Sequence, residues 1–162
     1  MTAALSLTRT LVRPGAYTVA HCKDVVILVW KERADVGAVR DASAFGDQLM
    51  RGHAVFSVVH VVEETSGLPT SAGRDALVEA AQRNEGRIAC VGLLLPASPI
   101  VASMLRVSVR AMDKFVRSFT QVVVEPTIDA LVGGVLKANV QRGGVRLTAG
   151  ELARAIQEAR AL

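Results

Sequence analysis

The sequence predicts a single α/β domain built on a mixed, mostly parallel sheet, with a leading β-hairpin and flanking helices. Three observations predict it. Apolar runs of strand length alternate with amphipathic runs of helical period across most of the chain. VVILVW, residues 25–30, is apolar at every position, as a strand covered on both faces must be. Two β-branched runs flank the polar pair Lys23-Asp24, which reads as a tight turn between antiparallel strands.

Taken in order, Ser6 to Val12, ahead of Arg13-Pro14-Gly15, is a candidate edge strand. Tyr17 to Cys22 and Val25 to Lys31 are the two arms of the hairpin. From Ala34 to Met50, Val36, Val39, Ala42, Phe45 and Leu49 recur at three and four, which is one buried helical stripe. A strand follows at Val55 to Val62, then a helix from Ser71 to Glu85 stopped by Gly86, and a strand from Arg87 to Leu95. Ser98 with Pro99 behind it marks the start of a helix reaching about Arg117, because proline lacks only an amide that would be unpaired there anyway. A strand at Phe119 to Val124 and a helix from Pro126 to Val140 complete the alternation. Residues 1–142 form the α/β domain on this reading. Gly143-Gly144 then separates a helical extension, 143–162, whose helix starts at Ala149: Thr148 and Glu151 form a capping box and Leu147 can staple onto Leu152. That extension is expected to pack on the domain or on a second copy, so a homodimer is one expectation.

At 162 residues the chain is long enough to bury a substantial core. Half of it is hydrophobic and a fifth is charged, which excludes a disordered chain. Aromatic residues are 4%, so the core must be built from Val, Leu, Ile and Ala. Lysine and arginine total 19 against 15 acidic residues, a net charge of +4. Without clustered exposed aromatics that mild excess predicts no nucleic-acid partner. Ile88 to Leu105 carries no charge, but its prolines divide it, and no transmembrane segment is expected. The first residues lack a signal-peptide core and Cys22 and Cys90 have no CxxC spacing, so a reduced, cytoplasmic protein is expected.

Among polar residues, the loop Glu63 to Gly73 stands out because it carries hydroxyls from the end of a strand to the start of a helix. Thr70 or Ser71 can cap that helix, and a phosphate at Ser71 would meet the helix's positive end. Thr65-Ser66-Gly67 reads as a turn, without the lysine or glycine spacing of a phosphate loop. Arg106, Arg110, Lys114 and Arg117 recur along one helix opposite Val101, Met104, Leu105, Met112 and Phe115, and form a basic stripe suited to an acidic protein or a lipid headgroup. His21, His53 and His60 are scattered and have no carboxylate at metal-ligand spacing, so neither a metal nor another cofactor is expected. Cys22 and Cys90 can approach across the sheet as small buried hydrophobes. No converging set of titratable groups points to an enzyme.

The order of hairpin, helix and strand alternation, and the four residues Thr70, Ser71, Ala72 and Gly73 with Leu77 one turn on, resembles the STAS domain of anti-sigma-factor antagonists and its SpoIIAA-like relatives. The likeness spans Tyr17 to Val140. That family carries Asp-Ser-x-Gly at the corresponding helix start, and this chain has Thr70 in place of the acid. The resemblance implies a non-enzymatic switch in bacterial signalling, with Ser71, or its neighbour Thr70, as phosphoacceptor. Thr70, Ser71, Gly73 and Arg74 would form the recognition edge for a regulatory partner, a kinase or an anti-sigma-type factor. The alternative is a carrier of the same fold that binds a small ligand or lipid between sheet and helices.

Overall fold

The computed structural model describes residues 9–116 and 120–162, apart from the side chain of Asp113. Ser6 to Thr8 of the candidate edge strand, Arg117 of the basic stripe, and Phe119 at the start of the last expected strand lie outside the described residues. The strands are β1 (Leu11–Arg13), β2 (Tyr17–Cys22), β3 (Val25–Trp30), β4 (Phe56–Val62), β5 (Ile88–Leu94) and β6 (Gln121–Glu125). The helices are α1 (Val36–Leu49), α2 (Ser71–Arg83), α3 (Pro99–Val116), α4 (Ile128–Gln141) and α5 (Ala149–Ala161). The fold is therefore the expected mixed α/β arrangement.

The strands lie side by side in chain order, antiparallel from β1 to β3 and parallel from β3 to β6. Right-handed crossovers that always step the same way place α1, α2 and α3 on one face. The strands record the two faces by alternation. Val26, Leu28 and Trp30 of β3 join Val39, Ala76 and Leu105 in one core, while Val25, Ile27 and Val29 join Leu131, Val135 and Ile156 in the other. Each crossover runs from the carboxyl end of its strand, so α1, α2, α3 and α4 all begin at one edge of the sheet.

The second face is closed by α4 and α5. Leu152, Ala155, Ile156 and Ala159 of α5 are fully buried, and the helix packs on β2, β3 and α4 of the same chain. Its start is the expected capping box: Thr148 accepts from the Glu151 amide and Glu151 accepts from the Thr148 amide. That bond from the Thr148 backbone holds the Glu151 carboxyl below its usual range. Leu147 packs against the same core.

A buried polar cluster joins the hairpin turn to the end of α4. Lys23 adopts φ +51 and delivers Asp24 into the interior, where its carboxyl accepts from the Asn139 side chain at 3.0 Å and the Val145 amide at 2.6 Å. The Asn139 amide oxygen accepts in turn from the Ser57 hydroxyl at 2.7 Å. Gly143 at φ +82 stops α4, and Gly144 is pressed so closely on Asn139 that a Cβ would lie 2.4 Å from its amide nitrogen.

Boundaries differ from the sequence pattern where caps decide. α1 begins after Asp35, which accepts from the Ala38 amide, rather than at Ala34. α4 begins after Thr127, with Pro126 before the cap instead of inside the helix. Cys22 and Cys90 do not approach. They lie in one cross-strand row with Val25 and Ser57 between them, and three strand spacings separate them by about 14 Å.

Replacing Asn139 removes a donor from a buried carboxyl and the acceptor of a buried hydroxyl together. Asn139→Ala is expected to lower unfolding free energy by about 3 kcal/mol in urea titration. A loss below about 1 kcal/mol would show that the Asp24 cluster does not hold this face together.

Candidate functional site

The edge where the helices begin is organised by one carbonyl. Ala34, in the connection from β3 to α1, accepts from the Thr70 amide at 3.0 Å. The Thr70 side chain caps α2 by accepting from the Gly73 amide at 2.9 Å, so Thr70 and not Ser71 is the cap. Gly73 is buried beneath that carbonyl, where an added Cβ would stand 2.2 Å from the Ala34 oxygen. No side chain fits there.

The hydroxyls of Thr65 and Ser66 do more than shape a turn. Thr65 donates to the Lys31 carbonyl at 2.6 Å and Ser66 to the Glu32 carbonyl at 3.1 Å, while Arg33 donates to the Leu68 carbonyl at 2.9 Å. The loop after β4 is thereby stitched along the loop after β3, and α2 starts from a fixed point. Ser71 stands exposed on that point, Arg74 is half-buried one turn on, and Thr70 is half-buried in its capping role.

The helix that carries the basic stripe, α3, is divided differently from its sequence pattern. Ala102, Leu105, Ser108 and Val116 face inward and are buried. Met104 and Phe115, expected on the inward side, are 49% and 56% exposed. With Ile100 and Val107, at 74% and 67%, they form a second apolar row that looks away from the sheet. At 100° per residue the apolar positions spread over more than half the circumference, more than one contact layer can cover. Arg106, Arg110 and Lys114 are exposed and run alongside this row. The stripe therefore lies across the helix from the buried Leu105, as expected, and on one side borders the outer apolar row.

Beneath α3 the first core is incompletely filled. A cavity of about 160 Å³ lies between β3–β6 and the three helices, walled by Leu28, Val58, Val91, Leu77, Leu105 and Met112. Two polar groups of its lining are notable. His60 of β4 accepts the Trp30 indole N–H on Nδ1 at 3.1 Å, and the two rings stack at 9° with centroids 6.3 Å apart. Burial lowers the His60 pKa to about 4, so the ring is neutral at pH 7, and with Nδ1 accepting, Nε2 carries the proton. Ser108 of α3 is 7% exposed, and its hydroxyl has no hydrogen-bond partner. Mid-helix serines ordinarily bond back to a carbonyl one turn earlier, and this one does not.

The thiols are unsuited to nucleophilic chemistry: burial pushes Cys90 up to about 12 and raises Cys22 as well. Among the described residues no cluster of three or more His, Cys, Asp or Glu side chains is placed to hold a metal ion. Nor, among the described residues, is any helix long and apolar enough to cross a membrane.

Several of these features were not read from the sequence. The outward row of Ile100, Met104, Val107 and Phe115 was visible as a second apolar line on a helical wheel. His60 shares the face of Phe56, Val58 and Val62 by strict alternation, which would have placed it inside. Ser108 carried no signal, because a serine among apolar residues looks the same whether or not its hydroxyl is paired. Set against known proteins, the chain matches no family model, no curated protein and no solved structure.

Two measurements check this geometry. Gly73→Ala is expected to cost about 2 to 3 kcal/mol of unfolding free energy, because the opposing atom is backbone held in place by the Thr70 amide. Thr70→Ala should cost about 1 kcal/mol, and equal losses for the two would contradict the clash. The His60 pKa is lower folded than unfolded, so the unfolded chain takes up this proton first and stability falls as pH drops from about 6.5 towards about 4. His60→Gln should flatten that slope in pH-dependent denaturation; an unchanged slope would show that the ring is not shielded.

Proposed function

We propose that this protein is a non-enzymatic regulatory interaction module that docks a partner protein on the outer face of α3 and is switched at Ser71. The observation that carries the reading is the row of Ile100, Met104, Val107 and Phe115, exposed on one helix and flanked by Arg106, Arg110 and Lys114. Large apolar side chains gathered on one face and rimmed by charge favour association. The adjoining cations call for a partner with an apolar strip bordered by acidic groups, and such pairs are steered together electrostatically.

Ser71 supports the switch. Its hydroxyl is exposed at the first position of α2, and α2 packs directly beside α3. A phosphate there would place nearly two negative charges at the positive end of α2 and beside the half-buried Arg74. The resemblance to anti-sigma-factor antagonists adds the partner class, a kinase or an anti-sigma-type factor met in the cytoplasm of a bacterium. No cofactor enters this reading.

The test compares the tagged wild-type protein with Val107→Glu, Arg106→Glu/Arg110→Glu, Ser71→Ala and Ser71→Asp in its native cells. A partner recovered by the wild type and lost by both α3 variants is expected, with Ser71→Asp weakened and Ser71→Ala retained. Circular dichroism should show every variant folded, since each changed side chain is exposed. Affinity for the recovered partner should fall about tenfold or more from 50 to 200 mM salt if three cations take part. Identical partners on all five proteins, or binding indifferent to salt, would overturn the proposal.

A further inference from the structure

The cavity beneath α3 has the properties of a binding site in its own right. We propose that it binds a small, neutral, ring-sized molecule with one hydroxyl or equivalent polar atom, a ligand of the phenol class, held by Ser108. Its volume of about 160 Å³ matches that of apolar cavities that admit a single benzene-sized guest. Its walls come from every layer of that half of the fold: Leu28 and Val58 from the sheet, Leu77 from α2, Leu105 and Met112 from α3. A flexible methionine lets the wall adjust to the outline of a guest.

The orphan hydroxyl gives the site its polarity. Ser108 is more than nine-tenths buried, lines the cavity, and has no partner for its oxygen. A buried hydroxyl without a partner is uncommon in a folded protein, and a ligand's polar atom completes it. The lining excludes charged ligands. The other polar groups on it offer no unpaired charge: Asp47 is engaged with Arg83 and Asn84, Ser66 donates to the Glu32 carbonyl, His60 is neutral and accepts from Trp30 through Nδ1, and Ser43 is uncharged. A carboxylate or ammonium entering the cavity would meet no free counter-charge and lose its hydration. Volume sets the upper size: one ring or a short chain fits, and a two-tailed lipid does not.

Occupancy of the cavity is independent of any partner on the outer face of α3, so the two proposals fail separately. Purified full-length protein is titrated calorimetrically with phenol, benzene and benzoate, and crystals are soaked with 4-bromophenol to locate bromine by its anomalous signal. Phenol is expected to bind one to one, benzene more weakly, and benzoate not at all, with bromine under α3. Ser108→Ala should weaken phenol about five- to tenfold and leave benzene unchanged, the size of effect one hydrogen bond provides. Leu105→Phe and Val109→Phe each add volume to the cavity wall, and whichever remains folded by circular dichroism should lose both ligands. Bromine found only on the surface, benzoate binding as well as phenol, or Ser108→Ala binding phenol like the wild type would overturn the assignment.

Discussion

The sheet is apolar on both faces, and the way the two faces are covered governs the rest of this molecule. Six strands in chain order, with crossovers that all step the same way, send three helices to one face and leave the other to α4 and α5. The second face is closed by fully buried side chains such as Leu131, Val135, Leu152 and Ile156. The first is spanned by helices whose positions are dictated by the strands they connect. α3 rests on α2 and β6 and roofs the strands between instead of filling the space above them. The exposed row above α3 reflects an apolar arc wider than its neighbours cover, and the cavity beneath it reflects a helix that rests on α2 and β6 without filling the space between them.

Polar contacts complement this division by fixing two ends of the domain. At the edge where the helices begin, the Ala34 carbonyl receives the Thr70 amide and forbids a side chain at position 73, so the start of α2 is held to the start of α1. Elsewhere the Asp24, Asn139 and Ser57 cluster ties the hairpin turn and β4 to the end of α4. Both rest on buried groups, where an unmet donor or acceptor is costly. The ion pairs add less. Arg83 with Asp47 and Arg160 with Glu63 lie in solvent-accessible positions, where such pairs contribute little.

Charge is sorted in the same way as packing. Cations run along the outside of α3, while the buried His60 ring and the Cys22 and Cys90 thiols are neutral at pH 7 through desolvation. The unpaired Ser108 hydroxyl beneath α3 suits an uncharged guest, and the cations outside suit an acidic partner. α3 is the one element common to both: its inner side lines the cavity and its outer side carries the exposed row.

Much of the fold was legible because its signals are local. A strand buried on both faces is apolar throughout, as β3 is. Thr148 with Glu151, and Thr70 ahead of Gly73, announce helix starts through hydrogen bonds that span only three residues. The candidate site was legible to the same depth: a hydroxyl at the start of α2 is a short-range fact, and Ser71 stands there exposed. What the sequence could not specify were quantities that depend on two distant segments meeting. Periodicity says that Met104 and Phe115 share an arc, but not that α2 and the sheet stop short of covering it. Composition says that Cys22 and Cys90 are strand residues, but only the register puts Val25 and Ser57 between them. The partner of His60, the empty volume over Leu28 and Val58, and the missing partner of Ser108 were likewise decided by tertiary structure. Local hydrogen bonding and period are written along the chain, whereas coverage and vacancy belong to the space between elements.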